Sequence, residues 1–173
     1  MVHCIREESL SLGKSKSEGD LERLVSEAGG SCQEGITTFC EQLLRKARRP
    51  GDWLLDFLME SGRPQVIASW LFQDPILLER QGRWRLAKLA PYFTEHKHHL
   101  EAVRVYRYQV EKILVGKRSG IYHLAVQWLR EMEAIQAQVT DWGEIATPDA
   151  YMADIRERHD KKRLFWKYYA EPV

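Results

Sequence analysis

The densest group of side chains able to do chemistry is Glu95-His96-Lys97-His98-His99, where imidazoles and a carboxylate lie close enough to share a metal ion. Successive helical positions point apart, and Lys97 places a cation inside the set. Only His96 and His99 are spaced to face one ion, and they need ligands from elsewhere. The segment therefore reads as a solvated turn between helices, and no metal is expected.

Thiol and acid–base chemistry find little support. Cys4, Cys32 and Cys40 form an odd set without a closely spaced pair, which suits neither a disulfide framework nor a four-ligand zinc site and points to reduced thiols. His123 and His159 sit on amphipathic segments with no nucleophile or acidic partner nearby, so both read as packing histidines. Glu131 and Glu133 do not share a helix face. Walker, GxGxxG and HExxH patterns are absent, so neither an enzyme nor a cofactor is expected.

The remaining candidate is a basic run, Arg156, Arg158, Lys161, Lys162 and Arg163, followed by Phe165, Trp166, Tyr168 and Tyr169. Cations beside aromatics can follow a phosphate backbone and stack bases. Glu157 and Asp160 interrupt the run, however, and Phe165 and Tyr169 are spaced to bury. A second cluster, Arg45, Lys46, Arg48 and Arg49, falls at a helix end, where the dipole favours cations. With 26 Lys and Arg against 25 Asp and Glu, the chain has no global field to draw in nucleic acid or anionic lipid. Nucleic-acid binding through the basic run is thus the alternative to a solvated outer helix face. No apolar run approaches the roughly 18 residues of a membrane span, and the first residues lack a signal-peptide core. No membrane partner and a cytoplasmic location are expected.

The elements that would position these groups are helical throughout. Residues 1–19 are a Ser, Gly and Lys mixture read as a mobile tail, and a short helix is expected over 20–28. Ile36, Phe39, Cys40, Leu43 and Leu44 then fall at helical spacing before Pro50-Gly51. Asp52 caps a helix over Trp53–Glu60, and Ser61-Gly62-Arg63-Pro64 turns into another over Val66–Phe72. Asp74-Pro75 opens a helix toward Phe93 that Gln81-Gly82-Arg83 kinks or divides and Pro91 weakens. Leu100, Val103, Tyr106, Val110 and Ile113 stripe the next, which turns between Gly116 and Gly120. Tyr122, Ala125, Leu129, Met132, Ile135 and Val139 stripe its successor, with Trp128 at the flank. Thr147-Pro148 starts a final helix carrying Tyr151, Ile155, Phe165 and Tyr169 on the outside of the fold.

No segment alternates as a half-buried strand does, so the class is all-α. The expected architecture is one domain over 20–173, built of three antiparallel hairpins, 36–73, 75–115 and 121–169, in a short stack. Laying 98–114 over 121–137 pairs Ala102-Val103 with Ala125-Val126 and Arg107 with Arg130.

Leu86, Leu89-Ala90, Phe93, Leu100, Ala102 and Tyr106 resemble a degenerate tetratricopeptide (TPR) repeat, with Gln109 where that family has a small residue. Glu101-Ala102-Val103-Arg104-Val105-Tyr106, Gly116 through Ala125, Leu129-Arg130-Glu131-Met132 and Ile155 through Leu164 are similar to the C-terminal helical-repeat region of bacterial SWIM zinc-finger family proteins. The likeness spans roughly 84–170. The Cys-x-Cys and Cys-x-His pairs of that finger are absent, so neither its metal nor its binding role carries over. What the resemblance implies is a TPR-like module, for which a non-catalytic role in protein binding is the expected function.

Overall fold

A computed structural model describes residues 52–60, 62–116 and 118–171. The chain divides into two units, Met1–Glu60 and Ser61–Val173. The expected tail over 1–19, the helices placed at 20–28 and from Ile36, and the basic cluster of Arg45 to Arg49 lie outside the described residues.

In the first unit the described helix is α1, Asp52–Glu60, in which Leu55 and Leu58 are buried. The second unit carries α2 (Pro64–Leu71), α3 (Pro75–Glu79), α4 (Arg83–Glu95), α5 (His99–Val115), a 3-10 turn (Ser119–Ile121), α6 (Tyr122–Gln136), α7 (Pro148–Arg158) and α8 (Arg163–Ala170). The described residues contain no strand, so the class is all-α. None of their helices is long and apolar enough to cross a membrane.

Proline sets three of the helix starts. Pro64, Pro75 and Pro148 each stand in the first turn, where a missing N–H costs no hydrogen bond. Helix α2 therefore begins two residues before Val66, and Pro64 belongs to the helix and not to the turn. Asp74 Oδ1 accepts the Ile76 N–H at 2.9 Å, the cap read from Asp74-Pro75. The segment from Pro75 to Phe93 is divided, because Gly82 is extended at φ −68° and ψ 151°. Pro91, by contrast, stays inside an unbroken α4: it is exposed and deletes only one N–H from the ladder.

The α4–α5 turn is made by a residue that sequence did not single out for the role. Lys97 adopts φ 62°, while His98 N–H reaches the Phe93 carbonyl at 2.8 Å and Lys97 N–H reaches that of Thr94 at 3.0 Å. This is a Schellman closure with lysine at the left-handed position that glycine usually fills.

Helix α5 is the centre of the unit. It packs most extensively on α6 and then on α4, and α8 packs on the other side of the arrangement against α6. Nine residues of α5 are buried, including the consecutive pairs Ala102-Val103, Val105-Tyr106, Gln109-Val110 and Ile113-Leu114. A helix facing one neighbour buries a single stripe, so this wide burial follows from its place between two others. Ala102, Val103, Ala125 and Val126, the residues matched by the internal alignment, are all buried in the two helices of the largest contact. Gln109, buried at the repeat's small-residue position, donates from Nε2 to the Leu86 carbonyl of α4 at 3.4 Å.

The single helix expected from Pro148 through Tyr169 is corrected to two. His159 leaves the helical region at φ −126° and ψ 25°, and Asp160 Oδ1 accepts the Lys161 N–H at 2.6 Å. Trp166 Nε1 then donates to the His159 carbonyl at 2.8 Å, closing the bend from the far side. Only residues 159–162 of the polar middle form the turn, while Arg156 to Arg158 stay in α7 and Arg163 starts α8. Tyr151 and Ile155 are buried on one side of the turn and Phe165 on the other.

Candidate functional site

On the α5 surface, Arg104 and Arg107 stand three residues apart and therefore on one face. Two clefts meet there. The larger, 470 Å³, has Gln65 and Ser69 on the α2 side and His98, Glu101 and Arg104 on the α5 side. The smaller, 260 Å³, is walled by Leu71, Pro75, Leu78 and Ile145, with Arg107 in its lining. Phe72 and Arg104 belong to both, the Arg104 guanidinium carbon lying 4.2 Å from the Phe72 ring centroid. A stacked cation and ring thus form the ridge between a polar half and an apolar half.

Arg107 is only 7 % exposed. Its Nη1 donates to the Ala146 carbonyl at 2.6 Å, and its guanidinium carbon sits 4.2 Å over Tyr151 and 5.2 Å from Trp142. Nε and Nη2 are buried without a hydrogen-bond partner among the described residues. Burial lowers the Arg107 pKa from its usual value, although a guanidinium remains charged at any ordinary pH. Glu111, one turn along, is held elsewhere: Arg158 donates to it at 2.9 and 2.6 Å, and His159 Nε2 lies 3.6 Å away. The connector to α7 brings Ala146 and Ile145 to this site through a tight turn. Gly143 takes φ 52° there and donates its N–H to Asp141 Oδ1 at 2.9 Å. Tyr151, buried beneath the guanidinium, has a hydroxyl held above the usual phenol range by burial and then by Glu111.

The histidine cluster goes separate ways. His96 Nδ1 is 2.9 Å from the Tyr92 carbonyl, and His98 lies 3.6 Å from Glu101 at the polar cleft. Among the described residues no three His, Cys, Asp or Glu side chains are placed to hold an ion. The two packing histidines also part: His159 is buried, but His123 is exposed on α6.

Three of the five residues of the basic run are engaged by the protein's own side chains. Arg158 is bound by Glu111 and Asp154, whose hydrogen bonds raise its pKa well above the ordinary value. Arg156 stacks 4.8 Å from the Trp166 ring, and Lys162 Nζ is 3.3 Å from the Tyr122 hydroxyl. Lys161 and Arg163 are exposed. Of the neighbouring aromatics, Phe165 is fully buried, and Tyr169 donates to Glu133 Oε1 at 2.7 Å.

Sequence reasoning missed Arg107, although two signals pointed to it. It falls on the apolar stripe of Val103, Val110 and Leu114, where a cation is out of place. It also aligns with Arg130, and that match has a structural counterpart. Arg130 Nη2 reaches the carbonyls of Tyr168, Tyr169 and Glu171 at the end of α8, as Arg107 reaches Ala146 before α7. Each guanidinium secures the segment that follows by binding carbonyls.

No curated protein and no solved structure matches the chain. A family model described as a family of unknown function, DUF6880, matches residues 82–168, which hold α4 through most of α8 and both arginines. That stretch is half of the 173 residues, and the chain belongs to the DUF6880 family.

Proposed function

We propose that the chain is a non-catalytic, cytoplasmic helical module that binds another protein, and that its binding surface is the double cleft along α2 and α5. The observation that carries this reading is the Phe72–Arg104 ridge between an apolar pocket and a polar one. Aromatic and arginine side chains in partly dry surroundings are the usual anchors of protein interfaces. The serial packing of α4, α5 and α6, with alanines buried on both α5 and α6, supports a diverged TPR-like stack, in line with the resemblance to SWIM-family helical regions.

The test is capture of partners by the full chain with and without nuclease, beside Arg104→Glu. Partners that persist through nuclease and are lost with the charge reversal support the reading. Partners released by nuclease overturn it.

Nucleic-acid binding is the second reading, favoured by the exposure of Lys161 and Arg163. It predicts a steep fall of affinity with salt that flattens when Lys161, Lys162 and Arg163 become alanine.

A further inference from the structure

We infer that Arg107 is the seat for a carboxylate of the partner, so that the cleft takes an acidic peptide segment in which an aspartate or glutamate stands beside an aliphatic residue. The inference rests on the protein-binding reading above and gives it a ligand chemistry.

A buried guanidinium is costly unless it is paired and its N–H groups are bonded. Arg107 is buried, has no ion-pair partner among the described residues, and leaves Nε and Nη2 unbonded. These two nitrogens share one edge of the guanidinium, the edge that receives both oxygens of a carboxylate side-on. The other bonding atom, Nη1, is already held by Ala146, which fixes the fork's orientation before anything binds. The nearest acid along the helix, Glu111, is committed to Arg158.

The surroundings choose among anions. Arg107 lines the smaller cleft with Leu71, Leu78 and Ile145, a wall that suits an aliphatic neighbour of the carboxylate. Arg104, on the ridge, adds a second positive charge at the boundary with the polar cleft. Nε and Nη2 are sealed from water in the free chain, so seating the carboxylate displaces what covers that edge while the Ala146 bond holds the fork in place.

The probe is a short fluorescein-labelled peptide of alternating leucine and glutamate, titrated into the full chain beside its leucine–glutamine counterpart. The glutamate peptide is expected to bind, with the glutamine peptide and the Arg107→Lys variant each weaker by about tenfold or more, because lysine offers a point charge where arginine offers a fork. Equal binding of the two peptides, full affinity in Arg107→Lys, or no binding of the glutamate peptide overturns the seat. Displacement of the peptide by millimolar inorganic phosphate or by an oligonucleotide overturns the assignment to a carboxylate. Should Arg107→Lys fail to fold, the wild-type Arg107 Nε–H resonance decides: it must shift with the glutamate peptide and not with the glutamine one. Lysate partners that survive nuclease, depend on Arg104 and bind Arg107→Lys normally would discard the seat and leave the protein-binding reading standing.

Discussion

Arg107 and Tyr151 hold each other twice: the guanidinium lies 4.2 Å over the Tyr151 ring, and the Tyr151 hydroxyl donates back to the Arg107 carbonyl at 3.4 Å. The pair joins α5 to α7 across a long stretch of chain, with the connector pinned between them through Ala146. Removing only the hydroxyl, as in Tyr151→Phe, keeps the stacking and loses one hydrogen bond. The expected cost is about 0.5–1.5 kcal/mol, and Tyr151→Ala, which also removes a buried ring, should cost about 3–5 kcal/mol. Chemical denaturation of the two variants checks the order.

Tyr106 is buried on the α5 side that faces α6, where burial first and Glu131 second push its hydroxyl well above the usual phenol range. Tyr106→Ala should destabilise the second unit by about 3–5 kcal/mol. An unchanged melting midpoint would remove Tyr106 from the core.

Lys97 bears a side chain in a left-handed conformation that costs about 1–2 kcal/mol in residues other than glycine. Lys97→Gly should therefore raise stability by about 1 kcal/mol, despite the greater freedom of glycine in the unfolded chain. A loss of stability would mean that the Lys97 side chain contributes more than its backbone strain takes away.

Burial and then the hydrogen bond to Glu133 push the Tyr169 phenol up to about 12 from its usual 10.0. The folded pKa exceeds the unfolded one, so this contribution is fully present below pH 10 and is lost as pH rises through about 12. Ultraviolet titration of the phenolate in wild type and Glu133→Gln measures it. The variant should titrate lower, and stability in that window should depend less on pH.

Trp84 is 78 % exposed in the first turn of α4, with the Arg83 guanidinium 5.2 Å from its ring. Trp84→Ala should change stability by no more than about 0.5 kcal/mol, the usual range for a surface substitution. A larger loss in the melt would show that the indole is covered in solution.

The stripes were legible because local burial repeats along one helix: Val103, Tyr106, Val110 and Ile113 are buried where their spacing put them. Helix starts at Asp74-Pro75 and at Pro148 were legible for a similar reason, since proline acts on its own backbone. The break at His159 was not, because it depends on Trp166 reaching back to the His159 carbonyl. Nor was the cleft. Phe72, Arg104 and Arg107 come together only in the tertiary structure, where Phe72 at the end of α2 lies under Arg104 of α5, and Ile145 joins them from a connector with no periodicity to read. The basic run was legible as charge, but the attachment of Arg158 to Glu111 is a contact 47 positions away.

Hydrogen exchange of the full chain with and without a captured, nuclease-resistant partner tests the double cleft most directly. A partner seated there slows exchange in residues 65–78 and in the connector around Ile145, and leaves the turn at Asp160–Lys162 as it was. Protection confined to the Lys161–Arg163 segment, with the α2 and connector amides unchanged, would contradict it.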